Sequence, residues 1–234
     1  MSGLEDDFIV GGDIFSDFNE DIEAAKVQED ERFYRYGRFY SVNMGVGLTS
    51  FTGNRGRAYD NDPPGYHLSM TYFFNFKTAF VFGLSYSKHR MIIDTKTDGF
   101  QGTNPGLISV NMLRTFWGFR YYIDTADLGT AVTYSNPYLT ARMEYWYQTN
   151  KYVEEEQFGK DSGGGLGTGL GGGLEFPLEL KKSYMGVEIL YHSVNFFDKY
   201  TTKFKQCEDS GCDYGYDDLD GNVWTTAITY NMSW

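Results

Sequence analysis

After residue 38, apolar and polar residues alternate one by one along most of the chain. Over residues 39–51, Tyr40, Val42, Met44, Val46 and Leu48 share one parity while Ser41, Asn43, Gly45, Gly47 and Thr49 share the other. A two-residue period belongs to a strand whose two faces meet different surroundings. The alternation returns over residues 66–76, 80–92, 107–122, 138–148, 184–194 and 223–234. Its most extreme form is GGGLGTGLGGGLEFPLEL, residues 163–180. There Leu166, Thr168, Leu170, Leu174, Phe176 and Leu178 hold one parity, and Gly165, Gly167, Gly169, Gly171, Gly173 and Glu175 the other. Eight strands are predicted. A phosphate-cradling loop would need a helix after the glycines, and LEFPLELKK with Pro177 follows instead. A flexible linker leaves the leucine spacing unexplained.

The face opposite the apolar one carries charge. Arg114, Arg120, Arg142, Glu144 and Glu188 all have this second parity, as does Glu175 beyond the glycines. A soluble barrel turns its apolar side chains inward, so charges at these positions describe an inside-out barrel with lipid around it. Aromatic residues sit near strand ends: Tyr40, Phe74, Phe76, Phe80, Phe82, Tyr121, Tyr230 and Trp234 at one level, and Tyr66, Tyr86, Tyr147, Tyr191 and Trp224 at the other. Two interfacial girdles have this form. Short turns at 77–78 and 179–182 fall at one end, and long connections over 52–65, 93–106, 149–163 and 195–221 at the other; 123–136 is a long connection on the short-turn side. In a barrel of eight strands side chains just fill the bore. The glycine face of 163–173 is then room for Arg114, Arg120, Arg142, Phe116 and Trp146 arriving from other strands. Arg114, Arg120, Arg142, Glu144, Glu175 and Glu188 are expected to form a luminal network of ion pairs.

Composition agrees with an all-β chain and excludes some partners. Aromatics make up 18% of the 234 residues and glycine contributes 28, a mixture suited to strands and turns. A net charge of −12 leaves no basic stripe for nucleic acid. The mean hydropathy of −0.45 looks soluble, but half-polar strands hide a membrane barrel from averages of this kind. The opening MSGLEDDFIVGG has neither the basic region nor the apolar region of a secretory signal. Residues 1–37 read as an acidic periplasmic N-terminal arm and residues 38–234 as the barrel. Phe8, Ile9, Phe15 and Phe18 are candidate anchors through which the arm docks an envelope protein, set against a solvated tail.

Three further sets of residues invite chemistry. Cys207 and Cys212 are the two cysteines, both in the last long loop, and an even pair fits one short disulfide in an oxidising compartment. Asp213, Asp217, Asp218 and Asp220 supply hard oxygens to that loop, but without the spacing or closing Glu of an EF-hand. Solvated loop charge is the first reading and a Ca²⁺ site the second; no metal and no cofactor are expected. His67, His89 and His192 share luminal parity with Ser69, Ser85, Ser87 and Glu188. Rim hydrogen bonding is the first reading, a Ser/His/carboxylate arrangement acting on lipid the second.

The alternation, the loop asymmetry and the ending ITYNMSW resemble the small eight-stranded outer-membrane barrels of the OmpA or OmpX type, over about residues 38–234. The resemblance implies an eight-stranded antiparallel up-and-down transmembrane β-barrel with periplasmic termini and extracellular long loops. Tyr230, Met232 and Trp234 resemble the terminal signal read by the barrel-assembly machinery. The expected function is a monomeric, non-enzymatic structural or surface-interaction scaffold. A narrow solute channel, a complex subunit docking through the arm and a lipid-modifying enzyme are the alternatives.

Overall fold

The computed structural model describes residues 26–28, 37–93, 105–125, 135–154, 159–179, 182–199 and 218–234. The chain divides into two compact units, Met1–Gly37 and Arg38–Trp234. Of the first, residues 26–28 are helical and exposed; Phe8, Ile9, Phe15 and Phe18 lie outside the described residues.

The second unit runs β1 (Tyr40–Phe51), α1 (Gly53–Ala58), β2 (Asp60–Asn61), β3 (Gly65–Phe73), β4 (Thr78–Ile93), β5 (Gly106–Tyr122), β6 (Asn136–Tyr152), β7 (Lys160–Glu179), β8 (Ser183–Phe196) and β9 (Val223–Ser233). All strands but the two-residue β2 form one antiparallel ring in the order β4-β3-β1-β9-β8-β7-β6-β5, which the β4–β5 pairing closes. First and last long strands meet from Ser41↔Ser233 to Phe51↔Val223, and Tyr40 and Trp234 exchange two backbone hydrogen bonds of 3.0 Å. Closure pairs every long strand with a neighbour on both sides across the middle of the wall, as a bilayer requires.

Alternation translates directly into the two faces of the wall. Val46, Leu68, Phe82, Trp117, Met143, Leu170, Ile189 and Ile228 are exposed on the outside, while their chain neighbours point into the bore. Cross-strand register aligns the aromatics into two belts. Tyr40 pairs with Tyr72, Tyr72 with Phe80 and Phe80 with Phe119 at one end; Tyr66 pairs with Tyr86 and Tyr191 with Trp224 at the other. The tight β3–β4 turn is locked by Asn75, whose Oδ1 accepts from the backbone N–H of Lys77 (2.8 Å) and Thr78 (2.7 Å), an Asx turn.

One segment departs from the sequence reading. Residues 52–65, expected as a loop, fold back as α1 and β2. β3 begins only at Gly65, opposite Gly47, so above it the edge of β4 loses its partner. β2 takes that place, with Asp60 opposite Arg90 and Asn61 opposite His89. Beneath α1 lies a small apolar core formed by Tyr59, Met91, Ile108, Val110, Met112, Trp146, Tyr152, Phe196, Leu219 and Val223, all buried. The long-loop end of the barrel is therefore packed like a soluble domain.

Candidate functional site

The bare face of β7 is occupied space. A Cβ placed on Gly169 would lie 2.7 Å from Glu144 Oε1 and 3.0 Å from His192 Nδ1, and one on Gly173 would lie 2.5 Å from the Tyr138 hydroxyl. On other strands Gly83 makes room for Phe116 and Gly118 for Arg142. The luminal side chains nearest the β7 glycines are thus Glu144, His192, Tyr138, Leu190 and Val194, and not the Arg114, Arg120, Arg142, Phe116 and Trp146 expected there.

The charges admitted by these glycines form a layered network, and the six residues predicted from parity are all in it. Nearest the short turns, Arg120 bridges Glu175 (3.3 Å) and Glu188 (3.1 Å), and Arg142 also pairs with Glu188. Tyr122 donates to Glu175 at 3.0 Å and Tyr138 to Glu188 at 2.8 Å. One layer on, Glu144 accepts from Trp146 Nε1 at 3.0 Å, contacts His192 Nδ1 at 2.8 Å and lies 3.8 Å from Arg114. Arg114 in turn donates to Ser85 at 3.0 Å. Glu144, Glu175 and Glu188 are each at most 4% exposed, so their charge is tolerable only because it is paired.

Parity reasoning missed two arginines. Arg38 precedes β1, where no period assigns it a face, yet it reaches Glu175 at 2.8 Å between the rings of Phe73 and Tyr184. Arg55, in α1, is fully buried at the other end. It donates to Leu219 O (3.0 Å), the Tyr59 hydroxyl (2.9 Å), Gln148 Oε1 (3.2 Å) and Asp198 (2.6 Å), with its guanidinium 4.0 Å from the Phe196 ring centroid. Burial pushes the Tyr59 hydroxyl up to about 12 against the pull of Arg55. In a loop rich in Gly, Asn and Asp, nothing marks Arg55 rather than Arg57 for burial. Together α1 and its contacts form a plug in the mouth.

The histidines are luminal, as expected, but do not assemble the serine arrangement. His67 contacts Ser85 (3.0 Å) and Ser69 (3.1 Å), and His89 contacts Ser87 (3.0 Å) and Asn61 (3.0 Å), with no carboxylate among the described residues bonded to either ring. His192 does meet a carboxylate, Glu144, and a hydroxyl, Thr225 at 2.8 Å. Arg114 also donates to its Nε2 at 2.9 Å, occupying the nitrogen that a general base would need, and His192 is fully buried. His192 thus sits inside a buried hydrogen-bond chain.

In the acidic loop, Asp213 and Asp217 lie outside the described residues, as do Cys207 and Cys212. Asp218 caps its own turn: it accepts from the Asp220 backbone N–H (3.1 Å) and from Asn54 (3.0 Å), and these bonds hold its carboxyl below the usual range. Among the described residues no group of three or more His, Cys, Asp or Glu is placed to hold a metal ion. Tyr230, Met232 and Trp234 share the outer face at the end of β9.

A closed ring of eight long strands, apolar outside and charged inside, decides the fold. It is that of a small outer-membrane β-barrel. A solved structure agrees in fold. Neisserial surface protein A (NspA) is similar with a TM-score of 0.54 and 10% identity, over 83% of this chain and 97% of that one. Ail, the attachment invasion locus protein of Yersinia pestis, has a TM-score of 0.47 and 14% identity over the same shares. No protein-family model matches the chain, and no curated protein matches it.

Proposed function

We propose that this barrel resides in a bacterial outer membrane, with its termini periplasmic and its long loops outside, as a monomeric, non-enzymatic scaffold for the cell surface. The observation that carries this reading is the filled lumen. From Arg38 at one end to Arg55 at the other, each layer of the bore holds buried, mutually bonded side chains, which argues against the narrow-channel reading. The buried histidines argue against the lipid-modifying one. A rigid closed barrel instead suits holding loops at the membrane surface.

Refolding in detergent tests this, with gel mobility compared before and after boiling and conductance recorded in planar bilayers. A heat-modifiable protein without discrete conductance is expected. Steady single-channel openings would overturn the scaffold reading in favour of a pore, and a monodisperse, detergent-free protein would overturn the membrane reading.

A further inference from the structure

We propose that a window in the barrel wall at the long-loop end is a saccharide-binding site. The window exists because β8 outruns its neighbour. The β8–β9 pairing ends at His192↔Val223, whereas β8 continues to Phe196 paired only with β7. Residues 219–222 descend opposite this free edge, tied to β1 through Thr52, whose N–H donates to Asn222 O at 2.8 Å. Leu219 N–H donates to Lys199 O at 2.8 Å and closes the frame above.

The opening measures about 410 Å³, within the range of small-molecule sites. Its chemistry is mainly uncharged and hydrogen-bonding. Among the described residues, Thr52, Ser193, Asn195 and Asn222 line it beside one cation, Lys199, and one anion, Asp220. Ser193 and Asn195 stand exposed on the outer face of β8, and among the described residues neither side chain is engaged in a hydrogen bond. Hydroxyl and amide groups both donate and accept, as do the hydroxyls of a sugar, and Asp220 adds a carboxylate acceptor. Val194 supplies half-buried apolar surface at the back, over the buried Phe196 and Leu219. Two glycines shape the frame. Gly53 and Gly221 have φ of +66° and +154°, and a Cβ on Gly221 would lie 2.0 Å from Thr52 O. Only glycine lets these two turns close on each other.

Tyr191 and Trp224, paired just below the window, belong to the interfacial belt. The site thus opens where lipid headgroups give way to water. Sugars reach that level from glycolipids of the same membrane or from glycans outside it.

This inference goes beyond the scaffold reading. Its test uses folded protein in detergent, so it is independent of both orientation and conductance. Labelled full-length protein would be applied to an array of polysaccharides foreign to the membrane and, separately, titrated with the deacylated oligosaccharide of an outer-leaflet glycolipid. Binding in either arm is expected, and the arm that responds names the source. Asn195→Ala and Asn222→Ala should each weaken it about tenfold, and Ser193→Trp should block it from an exposed position. Lys77→Ala, at the opposite end, should leave it unchanged. All variants should stay heat-modifiable. No binding in either arm at millimolar sugar, or binding indifferent to the window variants, would overturn the proposal.

Discussion

Gly169 shows how much one absent side chain does here. A methyl group on it would crowd Glu144 Oε1 at 2.7 Å and His192 Nδ1 at 3.0 Å, and overpacking of this kind costs about 1–3 kcal/mol. Gly169→Ala should therefore lower the urea midpoint of the refolded barrel. Gly163→Ala, six residues earlier on the same strand with nothing within 4 Å of its added carbon, should not. A comparison of the two by tryptophan fluorescence separates crowding from loss of glycine's flexibility. Glu188 is the complementary case. Arg120, Arg142 and Tyr138 all converge on it, so Glu188→Ala leaves two buried cations short of a partner, a loss of about 3–5 kcal/mol. Replacing the whole cluster with apolar side chains should cost less than Glu188→Ala alone, which a double-mutant cycle in urea would measure.

Among the elements, the eight long strands were legible because a bilayer outside and a charged bore inside enforce strict alternation on each of them. Leu166 and Gly167 announce their sides by type alone. α1 and β2 were not legible. α1 is six residues long with two glycines, and the Thr52 hydroxyl bonds Asn222 rather than capping the helix, so local propensity opposes it. It forms because Arg55 finds four kinds of acceptor in the mouth, a long-range fact that no window of sequence contains. The saccharide window was invisible for the same reason, since it is defined by where β9 stops relative to β8. If Arg55 holds the plug, Arg55→Ala should open residues 52–62 to trypsin at Arg57 while the barrel stays heat-modifiable, at a cost of about 3 kcal/mol. Arg55→Lys should not rescue it, because one ammonium cannot reproduce the fork that grips Asp198. Alkali gives a second handle. The Tyr59 hydroxyl is pushed up to about 12 when folded and ionises near 10 when unfolded. The folded state thus holds the proton longer, so this contribution is complete below about pH 10 and fades as pH rises through 12. Phenolate absorbance of the wild type minus Tyr59→Phe should show one late-titrating tyrosine, and plug protection from trypsin should fall over the same interval.

For the whole molecule, the inside-out arrangement makes a prediction about light. Of the four tryptophans, Trp117, Trp224 and Trp234 are 45%, 47% and 65% exposed on the outer face, and Trp146 is 2% exposed in the bore. In vesicles of brominated lipid the first three should be quenched and Trp146 should keep emitting. Trp146→Phe should remove that residual signal. Emission quenched equally at all four sites would be incompatible with a lipid-facing wall and a sealed interior.

The asymmetry of β7 also bears on how faithfully such a wall can be put together. Strands slide past one another most easily when their two faces are alike. On β7 a slip of a single residue would drive Leu166, Leu170 and Leu174 into a bore whose space is already filled, and would turn Glu175 out into hydrocarbon. Neither outcome can be relieved by rotating a side chain. The strand with the least side-chain mass per residue in the barrel thereby tolerates little misalignment, and it holds the strands on either side of it to one register.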